Sequence, residues 1–88
     1  MDWETTSFVL SSNIRLRILL ELRKGVTTPT RIAHSIGEPL SHVSKTLGEL
    51  QAKRLAICQT PDRRKARLYD ITHLGNSVLD EINRITRR

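Results

Sequence analysis

A dense group of cationic side chains lies between residues 63 and 67. Four of these five residues are basic: Arg63, Arg64, Lys65 and Arg67. Guanidinium and ammonium groups this close together suit a polyanion, because they donate charge-assisted hydrogen bonds to phosphate oxygens. The 15 Lys and Arg of the chain exceed its 9 Asp and Glu, which gives a formal net charge of +6. We therefore expect a polyanionic partner, nucleic acid first, with a merely solvated loop as the alternative for this group.

A second set of polar side chains lies on a predicted helix. The apolar residues Leu40, Val43, Leu47 and Leu50 recur at helical spacing and predict its buried side. The outward side then carries Ser41, His42, Ser44 and Lys45. Hydroxyl, imidazole and ammonium groups can hydrogen-bond base edges or phosphates. The two serines could instead stabilise the start of the helix, and both roles can coexist.

The sequence contains no catalytic or metal-binding set. Its 9 acidic residues are dispersed, and it has no Ser, His and Asp arrangement and no glycine loop that could hold phosphates. His34, His42 and His73 are too scattered for a ligand motif, and a single Cys58 cannot form an internal disulfide or a multi-cysteine zinc site. We expect no enzyme activity, no cofactor and no metal, and we expect Cys58 to be a small buried hydrophobe.

Periodicity and capping residues predict the elements that position the polar side chains. Helices are expected over residues 13–24, 29–35, 39–53 and 73–87, with strands over 56–60 and 67–71 and a short strand at Val26 and Thr27. Ser12, Thr28 and Thr72 are predicted N-caps, and Gly37 is the predicted turn between two helices. Residues 1–11 form an arm or a short helix. The cations Arg15, Arg17, Arg23 and Lys24 lie off the apolar side of the first long helix and should face solvent.

These elements predict a winged helix-turn-helix. The helix pair around Gly37, over residues 29–53, is the arrangement that places its second helix in the DNA major groove. The hairpin over residues 56–71 carries the cationic group at its tip and forms the wing. The expected fold class is α+β and mostly helical, with a three-helix core, a β-hairpin wing and a C-terminal helix in a single domain over residues 1–88.

The order of elements resembles the winged-helix regulators of the ArsR and MarR types, especially small prokaryotic, archaeal or archaeal-viral single-domain members. The resemblance covers roughly residues 11–87 and is carried by SSNIRLRILLEL, TPTRIAHSIGEPLSHVSKTLGELQAKRLA and RRKARLYDITHLG. It implies a homodimer on a pseudo-palindromic site, base contacts from the four polar residues of the recognition helix, wing contacts from the four cations and a phosphate contact from Arg31. In two departures, Arg54 stands where such sequences often have glycine, and the wing tip has no glycine.

Apolar residues near the two ends of the chain exceed what a small core requires. We expect a homodimer interface, with intramolecular packing as the alternative, formed by Trp3, Phe8, Leu74, Val78, Ile82 and Ile85. No apolar run approaches the roughly 20 residues of a membrane-spanning helix, and no signal segment begins the chain. We therefore expect a cytoplasmic protein without a membrane partner.

The expected partner is double-stranded DNA, and the expected function is sequence-specific transcriptional regulation. Two alternatives stay open at this point. One is a protein-interaction winged-helix module of transcription or replication machinery. The other is an architectural DNA binder that is indifferent to sequence. The sequence identifies no small-molecule effector.

Overall fold

The computed structural model describes residues 3–87. Over this range the elements are α1 (Trp3–Leu10), α2 (Asn13–Arg23), α3 (Pro29–Ile36), α4 (Leu40–Ala52), β1 (Ala56–Cys58), β2 (Tyr69–Ile71) and α5 (His73–Thr86). The N-terminal segment, for which an arm or a helix was open, is the helix α1. The first two residues of that predicted segment and Arg88, at the end of the predicted domain, lie outside the described residues.

Local sequence explains where the helices begin and end. Ser12, Thr28 and Thr72 each accept, through the side-chain hydroxyl, a hydrogen bond from the backbone N–H three residues further on. These bonds satisfy N–H groups that have no partner within the first turn of a helix. Gly37 ends α3 with φ of +69°. The predicted caps of α2, α3 and α5 are confirmed.

The hairpin pairs β1 and β2 in an antiparallel register that places Ala56 opposite Ile71 and Cys58 opposite Tyr69. Both strands are shorter than expected, because the side-chain hydroxyl of Thr60 accepts the N–H of Leu68 and starts the loop there. Thr27 and Tyr69 exchange two backbone hydrogen bonds of 3.1 and 2.8 Å. The predicted short strand between α2 and α3 is therefore present as a bridge to the base of the wing.

The core lies around α2, which contacts α1, α3, α4, α5 and β2. Its Ile18, Leu19 and Leu22 are fully buried. Val43, Leu47 and Leu50 of α4 are buried too, as predicted, but Leu40 is 48% exposed. The prediction of Leu40 as a core residue is wrong, because this first residue of α4 lies on the side of the helix that faces the wing.

The predicted dimer interface is corrected at two residues. Val78 is 0% exposed and Ile82 is 5% exposed, because α5 packs against α1, α2 and β2 of the same chain. Neither side chain leaves surface for a second copy. Trp3, Leu74 and Ile85 remain 61%, 37% and 38% exposed. Phe8 is half-buried against the core.

The backbone is left-handed at the two places where the sequence lacks an expected glycine, namely the end of α4 and the tip of the wing. Arg54, just after α4, has φ of +62°, and Ala66, near the tip of the wing, has φ of +53°. This left-handed region favours glycine, because a side chain with a Cβ crowds the neighbouring carbonyl oxygen. Arg54 and Ala66 therefore adopt the left-handed conformation that glycine would favour at these positions.

Candidate nucleic-acid interface

A cleft of about 810 Å³ lies between α4 and the wing. One wall is the start of α3, and a second is the side of α4 that carries Leu40, Ser44, Gly48 and Gln51. The third wall is the wing, with Arg64, Lys65 and Arg67. The cleft thus joins the exposed side of the predicted recognition helix to the cationic group of the wing.

The four wing cations are of two kinds. The Arg63 guanidinium donates a hydrogen bond to the carbonyl of Ala66 at 3.1 Å, and Nε of Arg67 donates to the carbonyl of Arg63. The side chains of Arg63 and Arg67 thus stabilise the loop at the wing tip. Arg64 and Lys65 are exposed, and within residues 3–87 neither side chain has a hydrogen bond or an ion pair. Of the four wing cations, these two have charged groups without a partner in the described part of the chain.

The four polar residues predicted on α4 are all exposed, but they do not share one face. Ser44 lines the cleft beside the wing. His42 and Lys45 line a shallower groove of about 320 Å³ between α4 and the start of α2. Ser41 lines neither depression. His42 also lies near an acid, with Nδ1 3.8 Å from Oε1 of Glu38.

Two arginines of α2 hold the helix-turn-helix in place. Arg17 donates to the carbonyl of Ile36 and lies 3.4 Å from Glu38, so it fixes the turn between α3 and α4. Nε of Arg15 donates to Glu49 of α4 at 3.2 Å. The prediction that these two arginines face solvent is wrong, because Glu49 lies on the side of α4 that faces α2 and Glu38 lies in the turn between α3 and α4.

Arg15 also joins α1 to this arrangement. It donates to the carbonyl of Phe8 at 2.8 Å, and its guanidinium carbon lies 3.8 Å from the centre of the Phe8 ring. The ammonium of Lys53, just after α4, lies 5.2 Å from the same ring. Both distances are in the range of cation–π attraction. Phe8, expected at a dimer interface, is thus covered by cations of its own chain.

Arg31 lies in the first turn of α3, exposed to solvent, as a phosphate contact requires. The interpretation of the sequence missed Leu40, Gly48 and Gln51 as lining residues of the cleft. A spacing of four residues places Leu40 and Gly48 in line with Ser44 on a helix, which is the signal that could have found them.

Acidic, histidine and cysteine side chains of residues 3–87 form no cluster of metal-ligand size. Among residues 3–87 no group of three or more of them is placed to hold a metal ion. Cys58 is buried in β1, as expected for a small hydrophobe. Within the same range, every helix is too short or too polar to cross a membrane.

Known structures resemble this chain, although no family model and no curated protein sequence matches it. A double mutant of ZitR from Lactococcus lactis superposes with a TM-score of 0.72 at 22% identity, over 83% of this chain and 51% of that one. This chain therefore spans about half the length of that ZitR chain.

In two further structures, a larger share of the neighbour's own chain aligns with this one. The antimony-specific transcriptional repressor AntR has a TM-score of 0.64 at 26% identity, over 91% of this chain and 78% of its own. The homodimeric winged helix-turn-helix DNA-binding domain Mb0332 from Mycobacterium bovis, a possible ArsR-family regulator, has a TM-score of 0.64 at 25% identity, over 94% and 82%. The chain has the winged helix-turn-helix fold. Of these two neighbours, AntR is described as a transcriptional repressor and Mb0332 as a DNA-binding domain and possible regulator.

Proposed function

We propose that this chain is a sequence-specific regulator of transcription that binds double-stranded DNA as a homodimer. In this proposal α4 lies in the major groove, and the wing contacts the backbone or the minor groove of flanking DNA. The observation that carries it is the cleft in which the exposed side of α4 faces the unpaired cations Arg64 and Lys65. The repressor AntR and the DNA-binding domain Mb0332 support the same class of function.

The shape and charge of the cleft suit a duplex. The major groove of B-form DNA is about 12 Å wide and admits one α-helix. A helix seated there brings an adjacent wing against the phosphate backbone, where each Lys or Arg contact releases a counterion. Phosphate contacts set the register of the protein, and base contacts from α4 supply the sequence preference.

The homodimer is supported by apolar side chains that the chain itself leaves uncovered. Trp3 on α1 and Leu74 and Ile85 on α5 are exposed, and these two helices pack against each other. Mb0332 is described as homodimeric. Two copies would present two recognition helices to two half-sites, which are about one turn of DNA apart in dimeric helix-turn-helix proteins.

The test compares duplex binding of charge variants over a range of salt concentrations. The double variant R64Q/K65Q should weaken binding to selected and random duplexes alike, and the slope of log affinity against log salt should fall by about 0.9 per lost contact. The matched control is R23Q/K24Q, which removes two adjacent cations at the end of α2, outside the cleft. We expect the control to keep most of the slope.

The other outcomes separate the alternatives. Equal loss in both double variants would show that only the net charge matters, which contradicts a phosphate contact by the wing. Equal affinity for random duplexes and duplexes selected from a random pool would indicate an architectural binder. An absence of duplex binding at physiological salt would favour a module that docks a protein.

A further inference from the structure

Leu40 is an exposed apolar side chain in the cleft that also carries the wing cations. It is 48% exposed at the start of α4, although the core lies directly beneath the same helix. In the cleft its neighbours along α4 are Ser44 and Gly48, and Arg64 and Lys65 lie on the wing side. A leucine that stays in water forgoes the free energy of burial, and a partner that enters the cleft would recover it.

Gly48 supplies an independent indication in the same line of residues. Glycine is a poor residue for the interior of a helix, because it gives up the most conformational freedom on folding. Apart from the adjacent residues and the backbone of α4 itself, no atom of residues 3–87 lies within 4 Å of the position that a Cβ would occupy at Gly48. Packing within the chain therefore does not require glycine, and the missing side chain leaves room for something outside it to come close to α4.

We infer that the line of Leu40, Ser44 and Gly48 is the part of α4 that touches base edges, and that Leu40 contacts the 5-methyl group of a thymine. The inference rests on the proposed function and specifies which chemical group of the DNA bases α4 contacts. The thymine methyl is the apolar group that base pairs present in the major groove, and apolar side chains bind it. Gly48 lets the groove approach, and the hydroxyl of Ser44 can bond to a neighbouring base.

The test removes single methyl groups from the DNA. Duplexes are first selected from a random pool at fixed salt, and each thymine of the selected site is then replaced in turn by deoxyuridine. At one thymine of each half-site, loss of the methyl should weaken binding by wild-type protein about fourfold, which corresponds to one buried methyl group. The L40A variant should bind the thymine and deoxyuridine duplexes equally well.

The control variant is L20A, which makes the same substitution at a leucine of α2 that is 45% exposed and does not line the cleft. It should keep the full response to the methyl group. A selected site in which every thymine tolerates deoxyuridine, or that has no thymine, overturns the inference but leaves the proposed function intact. If L40A still binds the thymine duplex more tightly than the deoxyuridine duplex, the inference is likewise overturned and the proposed function stays intact. A pool that yields no preferred duplex overturns the proposed function, and the inference fails with it.

A second measurement tests the close approach at Gly48. The G48A variant should unfold at a higher temperature than wild type, since the added methyl points into open space beside α4 and alanine favours a helix. It should nevertheless bind the selected duplex several-fold more weakly. A merely structural role for Gly48 would not produce opposite shifts in stability and affinity. Unchanged or tighter DNA binding by G48A would show that DNA does not approach this position closely.

Discussion

Arg54 has a left-handed backbone just after α4. Its N–H donates to the carbonyl of Gln51 at 3.0 Å, and its own carbonyl accepts the hydroxyl of Thr72 at 2.7 Å. The end of α4 is thus tied to the start of α5 through one residue. The left-handed conformation costs a residue other than glycine about 1 kcal/mol or more in free energy. The hydrogen bonds of the Arg54 N–H and carbonyl hold it in that conformation.

We predict that R54G raises the free energy of unfolding by about 0.5–1 kcal/mol, because glycine adopts the left-handed conformation without strain. For a domain of this size the melting temperature should rise by about 4–8 °C per kcal/mol. R54A is the control, since it removes the same charge and keeps the strain. Equal melting temperatures for the two variants would assign the effect to charge instead.

Glu21 is the acid whose protonation should affect stability. Hydrogen bonds from Lys24, at 2.8 Å, and from Ser35 hold the pKa of its carboxyl below the usual value near 4.5. A lowered pKa in the folded state means that the carboxylate stabilises the fold above the pKa of the unfolded chain. That contribution is lost as the pH falls through the folded-state pKa.

We therefore predict that E21Q unfolds at a lower urea concentration than wild type at pH 7, and that the difference shrinks as the pH falls below about 4. Urea unfolding at a series of pH values measures this. D62N removes one negative charge from an exposed acid of the wing loop and should show no such convergence. A difference between E21Q and wild type that is independent of pH would contradict the assignment.

At the scale of elements, two helical glycines have opposite surroundings. A Cβ at Gly75, in the first turn of α5, would lie 2.5 Å from the carbonyl oxygen of Leu55 and 2.6 Å from a side-chain carbon of Ile71. The close packing of α5 on the base of the wing therefore depends on this glycine. The Cβ position at Gly48, in the middle of α4, is open.

One substitution should then change stability in opposite directions. We predict that G75A lowers the free energy of unfolding by about 1–3 kcal/mol through overpacking. G48A should raise it by about 0.5–1 kcal/mol through helix propensity. Thermal unfolding of the two variants side by side checks this. If G75A were as stable as wild type, α5 would not pack closely on the wing.

The same elements show how far sequence alone can predict the structure. Helix ends at Ser12, Thr28 and Thr72 were predictable, because capping depends on residues three apart. The free side of α4 was not, because the placement of Leu40 depends on where α2 and the wing lie. The surroundings of Arg15 and Arg17 were not predicted for a similar reason: a cation off the apolar side of a helix is expected in solvent until the fold brings a carboxylate or a carbonyl beside it.

At the scale of the whole molecule, the uncovered apolar side chains of α1 and α5 predict self-association. The W3S/I85S variant should dissociate at least about tenfold more readily into single chains, because buried aromatic anchors dominate such interfaces. Sedimentation equilibrium measures this, and far-ultraviolet circular dichroism should show unchanged helix content. I57S, at an isoleucine of β1 that is 51% exposed, is the control. A wild-type chain that sediments as a monomer would refute the homodimer.

The guanidinium of Arg15 joins α1, through Phe8, to α4, through Glu49. The helix proposed for pairing and the helix proposed for reading DNA are therefore mechanically connected by one side chain. Binding equilibria that are coupled in this way are reciprocal. If a shift of α1 raises the affinity for DNA by some factor, then bound DNA raises the equilibrium constant of that shift by the same factor. In the proposed homodimer, pairing through α1 and DNA binding through α4 would then favour each other, with Arg15 as the coupling residue.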